Sequence, residues 1–211
     1  MKFTQIQLEI LIGIILGDGH LGRIMSKSKV SKHWYNGYLT ITFAEKCRPF
    51  ANNIFELFQG YWTPKGFRES SVQSGKGSPF YKRITLVSKC LPIFNFYHTL
   101  FYTPSDNGKF VKILPANIEE LLTPLSLAYF IMGDGNYNTI RKVFRLSTHS
   151  FTKEEVELLS TVFYNKFGIE SRLEHVRKEQ YILVVRTSQL FKLQELVKDH
   201  MIPSMLYRIG L

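Results

Sequence analysis

No apolar run in this chain of 211 residues reaches the ~18–20 residues that a membrane span requires, which leaves no candidate transmembrane helix. Cysteine is scarce: Cys47 and Cys90 are isolated, with no C-x-x-C pair and no Cys/His cluster around them. That spacing predicts two reduced, buried thiols, a reducing compartment and no structural zinc. Acidic residues are few as well, 17 Asp plus Glu against 27 Lys plus Arg, for a formal charge of +10. A surplus of that size predicts a polyanionic partner, either nucleic acid or an anionic membrane surface, and charge alone does not choose between them. The opening "MKFTQIQLEI" holds one lysine, glutamines and a glutamate, with no A-x-A-like site after it, so it reads as neither a secretory signal nor an Arg-rich transit peptide. What is present is core-forming material. Hydrophobic residues make up 45% of the chain, which excludes a disordered polymer and suffices for one large domain or two small ones.

The chain repeats itself at long period. "LIGIILGDG" (11–19) and "LAYFIMGDG" (127–135) each end an apolar, helix-like run in Gly-Asp-Gly. After the first copy, "YLTITFAEK" (38–46) alternates as a strand, with Leu39, Ile41 and Phe43 on one face and Tyr38, Thr40 and Thr42 on the other. After the second, "VFRLSTHS" (143–150) alternates the same way. Amphipathic helices follow, "PFANNIFELFQGYW" in the first half and "TKEEVELLSTVFYNKFGI" in the second, the latter opened by a Thr152–Glu155 capping box. Then "YKRITLVSKCLPIFNFYHTLFYTP" (81–104) and "YILVVRTSQLFKLQELVKDHMIP" (181–203) both read as strand, Ser turn, helix, Pro. The prediction is an α+β protein of two pseudo-symmetric αββαββα halves, 1–103 and 123–211, joined by a linker, 104–122, that Pro104, Gly108 and Pro115 punctuate. Two polar loops, 26–33 and 70–79, make the first half the longer one.

By itself Gly-Asp-Gly is a helix stop followed by a turn. Three features predict more. Neither run has a polar face over residues 10–16 or 127–132, so each helix belongs in a core or against a partner helix. Gly13 and Gly17 in one, Ala128 and Gly133 in the other, offer small surfaces for close approach. An acid at a helix C-terminus stands at the wrong end of the helix dipole, at a cost of ~0.3–1 kcal/mol unless a cation compensates. If the two helices pack in pseudo-twofold fashion, Asp18 and Asp134 emerge side by side, and both stay ionised only with a cation between them. Hard divalent ions with oxygen ligands suit that place, and a metal pair is a device for in-line displacement at phosphorus.

"LIGIILGDG" and "LAYFIMGDG" resemble the nine-residue signature of the LAGLIDADG homing endonucleases, read once per half, and "LTPLS" before the second resembles the two-motif, monomeric subgroup encoded within organellar introns. The resemblance spans essentially the whole chain. It implies that the motif helices form the interface between the halves and that two antiparallel sheets form a saddle over DNA. It implies metal binding by Asp18 and Asp134 with the peptide groups of Gly17 and Gly133 beside them, Mg²⁺ as the ion and Mn²⁺ as its substitute. By the match of "VKILP" and "MIPSMLYRI" it places Lys112 and Arg208 near the cleavage centre, and it makes Glu45 and His149 the polar residues that order water. The second basic position is commonly Lys. Arg208 can stabilise charge on a phosphoryl transition state but cannot give up a proton, which puts equal chemistry on the two strands in question. Tyr129 in place of a glycine, and Leu16 and Met132 in place of an acid, are departures that fit packing.

Charge is uneven along the chain. Residues 20–48 hold six Lys or Arg against Glu45 alone, residues 61–90 hold six against Glu69 alone, and acids gather in helical stretches such as 153–157. Basic strands with an acidic helical back suit a sheet laid on phosphates. The candidate DNA contacts are Arg23, Lys29, Lys32, Tyr38, Thr40, Thr42, Arg68, Lys76, Lys82, Arg83 and Thr85 in the first half, and Arg141, Arg145, Ser147, Arg172, Arg177, Lys178 and Arg186 in the second. The expected protein is a monomeric, Mg²⁺-dependent endonuclease that cuts both strands of a long, nonpalindromic double-stranded DNA site and leaves short 3′ overhangs. With no targeting segment, it is expected to be encoded in an organelle, the mitochondrion, and to have no membrane partner. The alternatives are a maturase that binds intron RNA and a catalytically inactive DNA-binding protein on the same fold. Retention of both aspartates favours the enzyme.

Overall fold

The computed structural model describes residues 2–23, 35–73, 75, 77–106 and 108–211. Thr4 caps helix α1 (Gln5–Leu16) reciprocally: its hydroxyl accepts from the Gln7 N–H while Gln7 Oε1 accepts from the Thr4 N–H. Strands β1 (Gly19–Gly22) and β2 (Tyr38–Ala44), helix α2 (Arg48–Leu57), strands β3 (Trp62–Gln73) and β4 (Phe80–Ser88) and helix α3 (Ile93–Phe101) complete the first repeat. A ribbon of β5 (Tyr102–Pro104) and β6 (Phe110–Lys112) and one helical turn, α4 (Ile118–Leu121), make up the linker. Thr123 and Ser126 form the same kind of cap on α5 (Pro124–Asp134), whose Pro124 takes a position where no N–H is needed. Strands β7 (Gly135–Asn138) and β8 (Val143–Ser147), helix α6 (Lys153–Phe167), strands β9 (Ser171–Arg177) and β10 (Gln180–Val185) and helix α7 (Thr187–Val197) follow, and a 3₁₀ segment, Pro203–Ile209, ends the chain. Each repeat is therefore αββαββα, as the sequence predicts.

Two compact units form. One gathers the described residues of Asp18–Leu100, with Lys2; the other gathers Phe3–Gly17 and Phe101–Leu211, because α1 packs against α5. In the first, an antiparallel sheet runs β1-β2-β4-β3. Leu39, Ile41, Phe43, Ile84 and Leu86 are buried on one face, and α2 covers them with Phe50, Ala51 and Ile54. The Phe43 and Phe50 rings meet edge-on at 5.3 Å. The pairing of β3 shifts between Trp62 and Phe67, across Pro64 and Gly66, and then stays in register with β4 out to Gln73. Residues 70–73, expected as loop, are thus strand. Their polarity misleads because the far end of this hairpin is wet on both faces.

The second unit repeats the sheet order as β7-β8-β10-β9. Helices α6 and α7 cover its Phe144, Leu146, Leu183 and Val185 face with Val156, Leu159, Val162, Phe163 and Leu193. The Thr152–Glu155 box opens α6, and Gly168, at φ +64°, closes it in the left-handed conformation. Glu155 does double work: Oε2 accepts from Thr152 N–H at 2.7 Å and Oε1 from the linker's Leu114 N–H at 2.8 Å. Residues 10–16 and 126–132 are all buried, so over those stretches neither motif helix has a wet face. Cys47 is buried as expected, but Cys90 is exposed, two residues beyond the buried Ser88 that ends β4. No helix among the described residues is long and apolar enough to cross a membrane.

Candidate active site

At Gly13 the two motif helices touch backbone to backbone. A Cβ there would lie 2.1 Å from the Ser126 carbonyl oxygen and 2.8 Å from Tyr129 Cβ, so no side chain fits. Tyr129 lies over this hydrogen-only surface, and burial pushes its phenol up to about 12. One turn on, Gly17 caps α1, and a Cβ on it would sit 3.4 Å from both Asp134 Oδ2 and the Phe130 ring. The half-buried carboxylate of Asp134 therefore rests against the Gly17 backbone. Asp18, the next residue in the chain, is exposed. The two copies end differently: α1 stops at Leu16 and leaves Gly17 and Asp18 in the turn before β1, whereas α5 runs through Gly133 and Asp134 to a cap at Gly135.

An acid at the negative end of a helix needs a compensating cation, and each motif has one. Lys112 Nζ donates to the carbonyls of Ile15 at 2.7 Å and Gly17 at 2.9 Å, which puts its charge on the exposed end of the α1 hydrogen-bond ladder. Arg208 Nη1 donates to the carbonyl of Gly135 at 2.7 Å, the residue after Asp134, and its guanidinium lies 5.5 Å from the Tyr207 ring centre. The structure thus seats both candidate basic residues on peptide groups that flank the motif acids. β6 delivers Lys112 and the C-terminal 3₁₀ segment delivers Arg208.

The two remaining candidates stand elsewhere. Glu45 lies in a 3₁₀ turn after β2, and Arg48 grips its carboxylate with two donors at 2.7 and 2.9 Å while also reaching Glu69 at 2.8 Å. That hydrogen bond holds the Glu45 carboxyl below the usual carboxylate range. His149 is exposed in the turn after β8, next to a buried Thr148 whose hydroxyl donates to the Tyr181 carbonyl.

The sequence model of the LAGLIDADG DNA endonuclease family matches residues 8–193. The chain belongs to that family. A cytochrome b mRNA maturase bI2 of Saccharomyces cerevisiae is 26% identical over 206 residues, a match that takes in 96% of this LAGLIDADG chain and 47% of the maturase. The chain thus spans about half the length of that relative. A "probable intron-encoded endonuclease 1" of Wickerhamomyces canadensis is 27% identical over 98% of this chain and 84% of its own length. Among solved structures, the chain is similar to the homing endonuclease I-WcaI bound to its DNA recognition sequence, with a TM-score of 0.79 at 25% identity over 99% of this chain and 88% of that one.

Each LAGLIDADG repeat turns one sheet face away from its helices, and many of the candidate DNA contacts stand there. In the first repeat Thr42, Thr85 and Arg68 form one cross-strand row and Ala44, Arg83 and Ser70 the next, with Arg83 Nε donating to Ser70 Oγ at 3.0 Å. Tyr38 and Thr40 share that face of β2, and Arg23 directly follows β1. Lys82 alternates onto the opposite face with Ile84 and Leu86. Lys29, Lys32 and Lys76 lie outside the described residues. In the second repeat Arg145, Val184 and Arg172 form a row, and Ser147 pairs with Ile182 on the same face. Arg141 sits in the β7–β8 turn, Arg177 and Lys178 at the β9–β10 turn, and Arg186 between β10 and α7. Among the residues that sequence reasoning missed, Glu174 stands out: it faces this arginine row and pairs with Arg141, Arg145 and Arg172. The i, i+2 spacing of Arg172 and Glu174 on a strand was a signal for one of those pairs; the others needed the register.

Proposed function

We propose that this chain is a monomeric, site-specific DNA endonuclease that hydrolyses phosphodiester bonds in both strands of a long, nonpalindromic double-stranded site and leaves short 3′ overhangs. One observation carries the reading. Two Gly-Asp-Gly motifs end two helices, buried over residues 10–16 and 126–132, that meet at Gly13, and each acid is flanked by a peptide carbonyl that a basic side chain holds. Asp134 and, by the repeat, Asp18 are the metal-binding acids, with the peptide groups of Gly133 and Gly17 beside them. Among the described residues no three His, Cys, Asp or Glu side chains stand together. A carboxylate with peptide carbonyls instead fits a hard divalent ion that keeps its waters and takes phosphate oxygens, Mg²⁺ with Mn²⁺ as its substitute. When bound, such an ion supplies Lewis-acid stabilisation to the phosphodiester.

The chain's own groups do the rest. Lys112 and Arg208 fix the peptides beside the acids and place positive charge where negative charge develops. The Arg208 guanidinium holds its proton throughout, so the strand it serves receives charge stabilisation without proton transfer, and the two strands are cut at different rates. Glu45 and His149 order water, the Glu45 carboxylate as an acceptor whose orientation Arg48 fixes. The halves 1–103 and 123–211, joined by 104–122, each read one half-site through the open sheet face, and diverged halves imply unlike half-sites. Intron-encoded relatives support an origin inside an organelle, the mitochondrion.

A second reading, binding and maturation of intron RNA, draws on the maturase relative. Cleavage of a supercoiled plasmid carrying the uninterrupted allele of the host gene tests the first. Linear product is expected in Mg²⁺ or Mn²⁺, with cleavage lost and DNA binding kept in Asp18→Asn and Asp134→Asn. DNA binding without cleavage in either ion overturns the enzyme reading and leaves the maturase and the inactive DNA-binding protein.

A further inference from the structure

Glu174 is an acid on a face that otherwise gathers basic residues. Its Oε2 accepts from Arg145 Nη2 at 2.6 Å, and its Oε1 accepts from Arg172 Nη2 at 3.2 Å and Arg141 Nη1 at 3.4 Å. Arg145 is on β8 and Glu174 on β9, and β10 runs between them. Strands lie ~4.8 Å apart, so this contact spans the middle strand. That explains an anomaly in burial. Ile182 and Val184 point to the open face, away from α6 and α7, yet they are only 6% and 0% exposed. The Arg145–Glu174 bridge crosses β10 between their two rows.

Stability is a poor reason for such an arrangement, because ion pairs at a surface contribute little. An acid also opposes phosphate binding on a basic face. What it does supply is fixed geometry. Arg141 and Arg172 are about half exposed or more and make the longer contacts, whereas the Arg145 and Glu174 side chains are 30% and 26% exposed and make the short one. Arg145 Nε is buried with no hydrogen-bond partner among the described residues. With Nε buried and one Nη2 hydrogen committed to Glu174, the donors left to Arg145 are Nη1 and the second Nη2 hydrogen, the end-on pair that matches guanine O6 and N7.

We propose that Glu174 is a positioning residue that locks Arg145 for guanine recognition in the major groove, while Arg141 and Arg172 on either side meet the phosphate backbone. This rests on the DNA-binding reading above. The test is selection of the full chain on a library of randomised double-stranded DNA without divalent ion, comparing wild type, Glu174→Gln, Arg145→Gln and the double variant, with thermal melting of each. Wild type is expected to demand guanine at one position. Glu174→Gln is expected to lose about tenfold or more of that preference there and at no distant position, with its melting temperature unchanged and its overall affinity equal or higher. In the Arg145→Gln background Glu174→Gln should add nothing, since it acts through Arg145. An unchanged Glu174→Gln profile, a uniform loss at every position, or a further loss in the double variant overturns the assignment while DNA binding stands. Failure of the wild type to bind any duplex overturns the DNA-binding reading itself.

Discussion

Lys112 and Arg208 show how one charge can serve two ends. Each holds a main-chain carbonyl that flanks a motif acid, so each offsets the dipole cost of placing that acid at a helix C-terminus and also holds positive charge beside it. His98 shows the opposite case, a titratable ring kept neutral. It is 2% exposed in α3, and burial above all, with help from Arg23 and His20, lowers its pKa from 6.5 to about 4. The folded state therefore excludes a proton that the unfolded chain binds below about pH 6.5. Stability should be flat above that pH and fall as pH drops towards 4, by up to about 3 kcal/mol from this ring. Urea denaturation between pH 7.5 and 4.5 checks it. His98→Gln should flatten that part of the curve, and a variant as acid-sensitive as the wild type would falsify the assignment.

At the scale of elements, the α1–α5 contact depends on one missing side chain. Gly13 and Gly17 look equivalent as small residues one turn apart, but only Gly13 meets main chain at 2.1 Å, while Gly17 has ordinary contact distance around it. Gly13→Ala should cost ~3 kcal/mol or more, since backbone cannot yield as a flexible side chain does, and Gly17→Ala clearly less. Denaturant midpoints of the two variants check the order; equal midpoints refute it. The repeated elements were legible in the sequence because each buries one face. Leu39, Ile41 and Phe43 fix β2, and two all-apolar runs fix α1 and α5. Elements without a buried face were not. The β5–β6 ribbon is two strands of three residues inside what reads as punctuation, and the outer end of β3 is polar on both sides. Of the candidate site, the repeat pointed to the two acids and the resemblance to the two basic residues. The seat of Lys112 on Gly17, the grip of Glu155 on Leu114 and the reach of Glu174 to Arg145 join residues far apart in sequence, and no local pattern encodes them.

For the whole molecule the governing quantity is charge. A formal +10 is far more than solubility needs, and the acids in the described sheets are engaged: Glu174 by three arginines and Glu69 by Arg48. The open faces therefore carry net positive charge. If they hold phosphates, binding must release condensed counterions, and log K must fall linearly with log salt with a slope near −0.9 per phosphate neutralised. Arg68 and Arg83 in the first repeat and Arg141 and Arg172 in the second stand among the charges available. With six to ten contacts the affinity for duplex DNA should drop by roughly 10³–10⁵ between 50 and 200 mM salt. Fluorescence anisotropy on a labelled duplex over that range measures the slope directly. Arg68→Gln or Arg172→Gln should flatten it by about one unit if that side chain neutralises a phosphate, with the loss shared by all sequences. Arg145→Gln should instead act at one base position. A slope near zero would mean that the surplus charge faces something other than a phosphate backbone.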